Sequence, residues 1–173
     1  MTATYRVQLP HTTTLTNYTL PAGVINSKVI FAYTHGQCHA MAIALHEIVH
    51  FELCLSVSTR IQKTLGLSPE EIIAKGELDD LVVERHWDHA MVKLGDDLYL
   101  DIRGLLTKNE ALYGDSPEGA FHLVDYLIVP TSPRQLRTLA KSAGIRPNME
   151  AAKHYANLVV KKHLGAPRLA FAN

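Results

Sequence analysis

The chain has 173 residues, of which 47% are hydrophobic, and its 17 Lys and Arg balance its 17 Asp and Glu. This apolar fraction predicts a domain that buries its own core, and the zero formal charge argues against binding nucleic acid or a membrane surface through bulk electrostatics. Two cysteines are too few for a disulfide framework, so free thiols and a cytoplasmic location are expected. The 10 histidines need an explanation, because histidine ligates metals and acts as a general base near neutral pH.

We expect neither a membrane span nor a secretory leader. The chain has no run of about 18 apolar residues, and its first residues lack a basic stretch followed by an apolar one. We predict a single domain over residues 1–173, with a catalytic core over about 24–130 and a helical part over about 131–173.

The first predicted elements surround a long helix. Residues 1–23 are rich in Thr and Asn and indicate an extended arm or an edge strand. The apolar run within residues 24–33 predicts a strand, because it is short and rich in β-branched and aromatic residues. No Pro or Gly interrupts residues 38–55, so we predict one helix there, with an apolar stripe that begins at Cys38.

The remaining elements predict an α+β fold, in which the Cys38 helix packs on an antiparallel sheet and C-terminal helices cover an edge or face. Ser68-Pro69-Glu70-Glu71 has the pattern of a capping box, so a short helix should run from there to about Gly76. Strands are predicted over residues 81–85, 89–94, 97–102 and 122–129, with a hairpin turn at Gly95-Asp96. Two further helices are predicted, one entered at Ser132-Pro133 and ending near Gly144, the other over residues 148–163.

Cys38, His89 and Asp101 form the first candidate constellation. A thiol at a helix N-terminus feels the positive end of the helix dipole, which lowers its pKa and favours the nucleophilic thiolate. An imidazole on a neighbouring strand can exchange the proton, and a carboxylate behind it orients the ring. His89 and Asp101 lie at similar distances from the predicted hairpin turn, so near-opposite placement is expected. Strand alternation turns the nearest rivals, His86 and Asp88, to the other face.

These motifs resemble those of the transglutaminase-like and papain-like cysteine hydrolases. The segment Gly36-Gln37-Cys38-His39 is similar to the Gly-Gln-Cys-Trp nucleophile motif, and the segments that begin at His89 and end at Asp101 are similar to the strands bearing the histidine and aspartate. The order Cys, His, Asp is also similar to that of arylamine N-acetyltransferases. The resemblance implies a papain-like core with Cys38 as nucleophile, His89 as base and Asp101 as the orienting carboxylate.

The same resemblance implies a reaction class. It points to a cysteine peptidase, amidase, deamidase or transglutaminase that needs no cofactor and acts on a protein, peptide or amide substrate through a thioester. Gly36, Gln37 and His39 flank the nucleophile and are candidates for oxyanion or substrate contacts. The backbone N–H of Cys38 is the safest oxyanion donor.

His46-Glu47-Ile48-Val49-His50 supports an alternative, a zinc-dependent hydrolase. Two imidazoles four residues apart share a helical face and can ligate one zinc ion, while Glu47 activates the bound water. A third ligand could come from Glu70, Glu71, Glu77 or His39. The apolar stripe of the same helix favours the thiol interpretation, because a zincin helix opens its motif face to a cleft.

A third hypothesis is a papain-like binding module without catalytic activity. Residues 134–168 hold eight Lys or Arg and a single Glu, so the C-terminal helices are a candidate surface for an acidic partner. The presence of all three triad residue types favours an enzyme over this hypothesis.

Overall fold

The computed structural model describes residues 3–11, 14–113 and 125–165. Its strands are β1 (Thr4–His11), β2 (Thr14–Pro21), β3 (Glu52–Ser58), β4 (Trp87–Gly95), β5 (Leu98–Asp101), β6 (Gly104–Thr107) and β7 (Tyr126–Pro130). Its helices are α1 (Ser27–Thr34), α2 (Cys38–Val49), α3 (Ile61–Leu65), α4 (Pro69–Ala74), α5 (Asp80–Val83), α6 (Lys108–Tyr113), α7 (Pro133–Ser142) and α8 (Met149–His163). The predicted α+β class with an antiparallel sheet is confirmed.

Five strands form an antiparallel sheet in the order β6-β5-β4-β3-β7, and β1 pairs with β2 as a separate hairpin. One face of the sheet, with Leu55 and Val92, joins a large buried cluster that includes residues of α2, α7 and α8. The other face, with Cys54 and Met91, packs against Ala111 of α6. Helices therefore cover both faces, with most of the core between the sheet and α2.

Helix α2 lies at the centre of the molecule, packed against α8, β4 and α7. Every residue from Cys38 to Leu45 is buried, which explains why apolar side chains occupy most of its surface. The predicted end of this helix near Leu55 is wrong. The helix stops where His50 adopts a left-handed conformation with φ 57°, and Cys54 lies on β3 instead.

Two predicted strands are helices. The run within residues 24–33 contains α1, because Asn26 caps the helix by accepting a hydrogen bond from the Val29 N–H at 3.1 Å. Its buried residues Val29, Ala32 and Tyr33 have helical spacing. Residues 81–85 overlap α5, and Asp79 caps that helix through the Leu81 N–H at 3.0 Å. In both segments a cap before the apolar run overrides the strand propensity.

Several other predictions are confirmed. The capping box at Ser68 and Glu71, the strands β4 and β5, and the helices α7 and α8 lie where expected. Three details differ from the predictions. The N-terminal arm is a full hairpin of β1 and β2, and the β4–β5 turn lies at residues 96–97. Strand β6 is an additional strand that the sequence did not predict. The strand predicted over 122–129 begins at Tyr126 within the described residues, and its start at His122 lies outside them.

The N-terminal hairpin packs against the C-terminal helix α8. The hydroxyl of Tyr155 donates to the Pro21 carbonyl at 2.7 Å, and the Asn148 side-chain amide donates to the Arg6 carbonyl at 2.8 Å. Residues before 24 and after 131 therefore share one buried cluster with the sheet. In the described part of the chain, no helix is long and apolar enough to cross a membrane.

Candidate active site

The structure brings Cys38, His89 and Asp101 together from three elements. Cys38 is the first residue of α2, His89 lies on β4, and Asp101 ends β5. Nε2 of His89 lies 2.9 Å from Oδ2 of Asp101, and the thiol of Cys38 interacts with the same imidazole. Because Nε2 is engaged with Asp101, Nδ1 is the ring nitrogen left to exchange a proton with the sulfur.

A β-bulge lies beside His89. Ser56 of β3 pairs with His89 and Val57 pairs with Trp87, so Asp88 is the extra residue on β4. The Ser56 hydroxyl accepts a hydrogen bond of 3.0 Å from the His89 N–H and fixes the backbone at this point. Bulges next to functional sites re-aim side chains, which explains why simple strand alternation does not describe this stretch of β4.

The electrostatics favour a thiolate and imidazolium pair. Burial acts to raise the pKa of the Cys38 thiol, but interactions with His39 and His89 outweigh burial and lower that pKa to about 6. Burial acts to lower the pKa of His89, but Asp101 and Cys38 raise it to about 10. The lowered pKa of the thiol and the raised pKa of the imidazole both favour the ionised pair, with the proton on the ring and the negative charge on the sulfur.

Asp101 remains ionised although it is buried. Burial acts against its charge, but His89 and Arg103 lower the pKa of Asp101 to about 2. Arg103 donates to Asp101 from its backbone N–H at 2.7 Å and from its guanidinium at 2.6 Å. Sequence reasoning missed Arg103, since an arginine two residues after a strand carboxylate matches no motif.

His39 is a second imidazole beside the nucleophile. The residue has no exposed surface, and neither ring nitrogen has a hydrogen-bond partner within the described ranges. A buried polar ring without partners is destabilising, by about 1 to 3 kcal/mol for each unsatisfied group. His39 also lowers the pKa of the Cys38 thiol, so it affects the reactivity of the site.

Gln37 and Gly36, expected as oxyanion or substrate contacts, have structural roles. The Gln37 amide donates to the carbonyls of Gln8 and Arg146 at 2.7 and 3.2 Å, so both of its N–H groups are used. A methyl group on Gly36 would overlap the ring of Pro10. In the described structure no side chain caps α2, so no capping side chain uses the N–H groups of its first turn.

A cavity of about 210 Å³ adjoins the imidazole. Its lining includes Thr34, Asp88, His89, Arg103 and Tyr113. Cys38 itself is 2% exposed and His89 is 6% exposed. The cavity therefore lies on the His89 side of the site, and Cys38 is not among the described residues that line it.

The His-Glu-x-x-His residues do not share one helical face. His46 lies near the end of α2 and donates from Nδ1 to the Phe51 carbonyl at 2.6 Å, whereas His50 is beyond the helix in a left-handed conformation. Glu47 forms an exposed ion pair of 2.8 Å with Lys153. These positions favour the thiol interpretation over zinc chemistry.

The acidic residues proposed as a third zinc ligand form other contacts or are exposed to solvent. Glu71 belongs to the capping box of α4, Glu77 pairs with Arg134 at 2.7 Å, and Glu70 is exposed. Within residues 3–11, 14–113 and 125–165, no cluster of three His, Cys, Asp or Glu side chains is placed to hold a metal ion.

The basic C-terminal helices carry both paired and exposed cations. Arg134 pairs with Glu77 and Asp80, and Lys153 pairs with Glu47. Arg137, Lys141 and Arg146 line a cavity of about 430 Å³ beside the turn between α7 and α8. An acidic partner for this surface stays a prediction.

Comparison with known proteins finds no family model, no curated protein and no solved structure that matches this chain. The geometry of Cys38, His89 and Asp101 is therefore the basis for assigning a function.

Proposed function

We propose that the protein is a cysteine-dependent hydrolase or acyltransferase that acts on an amide bond through a thioester. The observation that carries this proposal is the position of His89, whose ring contacts Asp101 at 2.9 Å through Nε2 and interacts with the Cys38 thiol. A helix bearing the nucleophile against an antiparallel sheet bearing the base is also compatible with a papain-like core.

In the first step the Cys38 thiolate attacks the carbonyl carbon of an amide. The C–S bond forms, and the carbonyl π electrons move to oxygen and give a tetrahedral oxyanion. The His89 imidazolium then gives its proton to the amide nitrogen, the C–N bond breaks, and an amine leaves. The product on the protein is a thioester of Cys38 beside a neutral His89.

In the second step His89 acts as a base. It takes a proton from water or from an acceptor amine, which attacks the thioester carbon, and collapse of the tetrahedral intermediate releases the Cys38 thiolate. Water yields a carboxylic acid, whereas an amine yields a new amide. The proton remains on His89, so the starting ion pair is restored.

The start of α2 supports stabilisation of the oxyanion. Because no side chain caps this helix in the described structure, the N–H of Cys38 is available to the developing negative charge. The positive end of the α2 dipole acts in the same direction. Gln37 does not contribute, since its amide donors are bonded to Gln8 and Arg146.

The ionised triad favours an enzyme over a binding module. A protein that only binds a partner has no need for a buried thiolate, an imidazolium and a carboxylate in contact, because each buried charge must be compensated. His46 and His50 do not share one helical face, which also favours the thiol mechanism over zinc chemistry.

The reactivity of the thiol is the first test. Native protein is treated with iodoacetamide from about pH 5 to about pH 10, and the label is located by mass spectrometry. We expect Cys38 to react with a half-maximal rate near the pKa of about 6, because the thiolate is the reactive species. Cys54 is the internal control, since burial raises its pKa to about 12.

Two histidine variants separate the triad from general histidine effects. His89→Ala should move the Cys38 profile to higher pH, whereas His86→Ala should leave it unchanged, because His86 contacts Thr64 instead. A Cys38 profile centred above about pH 8.5 in the native protein would contradict the proposal. Stoichiometric zinc bound through His46 and His50 would favour the metallohydrolase instead.

Acyl transfer is the second test. The protein is mixed with an activated ester and a panel of peptide amides, quenched in acid, and searched for an acyl group on Cys38. Hydroxylamine should remove that group, because it cleaves thioesters. Cys38→Ala is expected to keep the fold and lose all turnover, and turnover retained in this variant would rule the mechanism out.

A further inference from the structure

Arg103 holds the carboxylate of Asp101 through both its side chain and its backbone. Its Nε and one terminal nitrogen lie 2.9 and 2.6 Å from Oδ2 of Asp101, and its backbone N–H lies 2.7 Å from Oδ1. The Asp101 side chain is 2% exposed and the Arg103 side chain is 19% exposed. Such a short, mostly buried, bidentate contact is among the stronger ion pairs in proteins.

The same oxygen also serves the catalytic imidazole. Oδ2 accepts from Nε2 of His89 at 2.9 Å while it accepts from the Arg103 guanidinium. The positive charge of Arg103 repels the imidazolium and so offsets part of the stabilisation that Asp101 gives it. We propose that Arg103 is a positioning residue of this site: it fixes Asp101 and offsets part of the stabilisation that Asp101 gives the His89 imidazolium, so the ring releases its Nδ1 proton to the leaving amine more readily.

The backbone contact allows charge and orientation to be separated. The 2.7 Å bond to Oδ1 comes from the Arg103 N–H, which is present whatever side chain stands at this position. A substitution of Arg103 therefore removes the cation while one anchor of the carboxylate stays. Another terminal nitrogen of Arg103 donates to the Glu110 carbonyl on α6 at 3.3 Å, a weaker link to the cavity wall.

Among the described residues, charged and titratable groups lie around His89 on several elements. Cys38 of α2 and Asp101 of β5 interact with its ring, Arg103 contacts the same oxygen of Asp101, and Asp88 and Tyr113 line the adjoining cavity. Burial acts to lower the pKa of His89, but Asp101 and the Cys38 thiol together raise it to about 10. Cys38→Ala removes the contribution of the thiol, so the remaining balance between burial, Asp101 and Arg103 can be measured closer to neutral pH.

The test is an NMR titration of the His89 imidazole in the Cys38→Ala protein. The His89 resonance is assigned by its loss in a His89→Asn variant. Adding Arg103→Gln should raise the pKa of His89 by about one unit, because the substitution removes the positive charge that shares Asp101 with the imidazolium. Adding Asp101→Asn should lower that pKa, and adding Arg103→Lys should give a smaller rise than Gln.

A loss of packing alone would not move the pKa of His89 in opposite directions in the Arg103 and Asp101 variants. Disorder at the site would admit water and move that pKa toward its ordinary value from whichever side it starts, in the Arg103 and the Asp101 variants alike. Opposite shifts in these two variants therefore support the proposal, and an unchanged or lowered pKa in Arg103→Gln overturns it. If Arg103→Gln does not fold, Arg103→Met keeps the apolar stem and is read by the same criterion.

The catalytic part of this inference rests on the proposed function, but the titration needs no substrate. If Cys38 never forms a thioester, the proposed function fails while the His89 shift remains measurable. If the thioester forms but Arg103→Gln leaves His89 unchanged, only the role of Arg103 fails. In an active enzyme, Arg103→Gln should slow amide turnover by about tenfold and activated-ester turnover less, because a good leaving group needs no proton.

Discussion

The side-chain amide of Gln37 donates a hydrogen bond of 2.7 Å to the backbone carbonyl of Gln8. This bond ties strand β1 to the residue that precedes the nucleophile. The same amide also contacts the Arg146 carbonyl, and its oxygen accepts from the Asn148 N–H at 3.3 Å. Gln37 therefore joins the N-terminal hairpin, the start of α2 and the start of α8 at one buried point.

We predict that Gln37→Ala lowers the free energy of unfolding by about 2 to 4 kcal/mol. The substitution removes the side chain that satisfies three partly buried backbone groups, and each unsatisfied group costs about 1 kcal/mol or more. Urea denaturation measures the change.

The matched control for this prediction is Gln62→Ala, on the half-buried surface of α3. We expect a change below about 1 kcal/mol there. A Gln37→Ala protein as stable as the wild type, but unable to form a thioester, would assign Gln37 to the oxyanion site instead.

We predict that His39→Phe raises the pKa of the Cys38 thiol above about 6 without restoring the ordinary value. His89 and Asp101 remain in this variant, so part of the stabilisation of the thiolate persists. The free energy of unfolding should stay the same or increase, because an aromatic ring replaces a buried imidazole without partners. Thiolate absorbance in the ultraviolet gives the pKa, and an unchanged value would show that His39 has no electrostatic role.

Asp101 should contribute to stability above about pH 4 and lose that contribution in acid. Its pKa is lowered from 3.8 to about 2 in the folded protein, so the unfolded chain binds a proton first as the pH falls. The linked stabilisation is about 2 kcal/mol, present above the unfolded pKa and lost as the pH falls toward about 2.

The measurement is the difference in unfolding free energy between wild type and Asp101→Asn, in denaturant at a series of acid pH values. The other carboxylates are common to both proteins and cancel in this difference. A difference that stays constant below about pH 4 would contradict the lowered pKa of Asp101.

Gly104 should tolerate no larger side chain. Its φ of 115° is rare for residues with a Cβ, and an added methyl group would overlap the ring of His163 on α8. We predict that Gly104→Ala lowers the free energy of unfolding by about 2 kcal/mol or more.

Two further variants divide this loss into strain and overlap. Gly76→Ala, at φ 75° with open space around it, should cost only about 1 kcal/mol from backbone strain. His163→Ala should recover part of the stability in the Gly104→Ala background. If it recovers none, the loss comes from the backbone alone.

The residues of the candidate triad could be predicted because each carries its own signal. A thiol after Gly-Gln at a helix start, and polar residues in two adjacent apolar strands, are visible without knowledge of the fold. The hairpin of β4 and β5 then brings His89 and Asp101 together, because both lie within a few residues of its turn.

The rest could not be predicted, for two physical reasons. Helix α2 ends at His50, which adopts a left-handed conformation. Glycine usually takes this conformation at a helix end, so no glycine marks the end of α2 in the sequence. Arg103 and Gln37 act through contacts set by tertiary packing, and no local pattern records those contacts. Helices α1 and α5 are different, because their caps at Asn26 and Asp79 are visible in the sequence as signals of a helix start.

The bonds of Gln37 also set the order in which the site can assemble during synthesis. Its partners Arg146 and Asn148 lie 109 and 111 residues further along the chain, whereas Cys38 and His89 emerge from the ribosome much earlier. Gln37 therefore acquires its full set of hydrogen-bond partners only after the chain has been translated as far as α8.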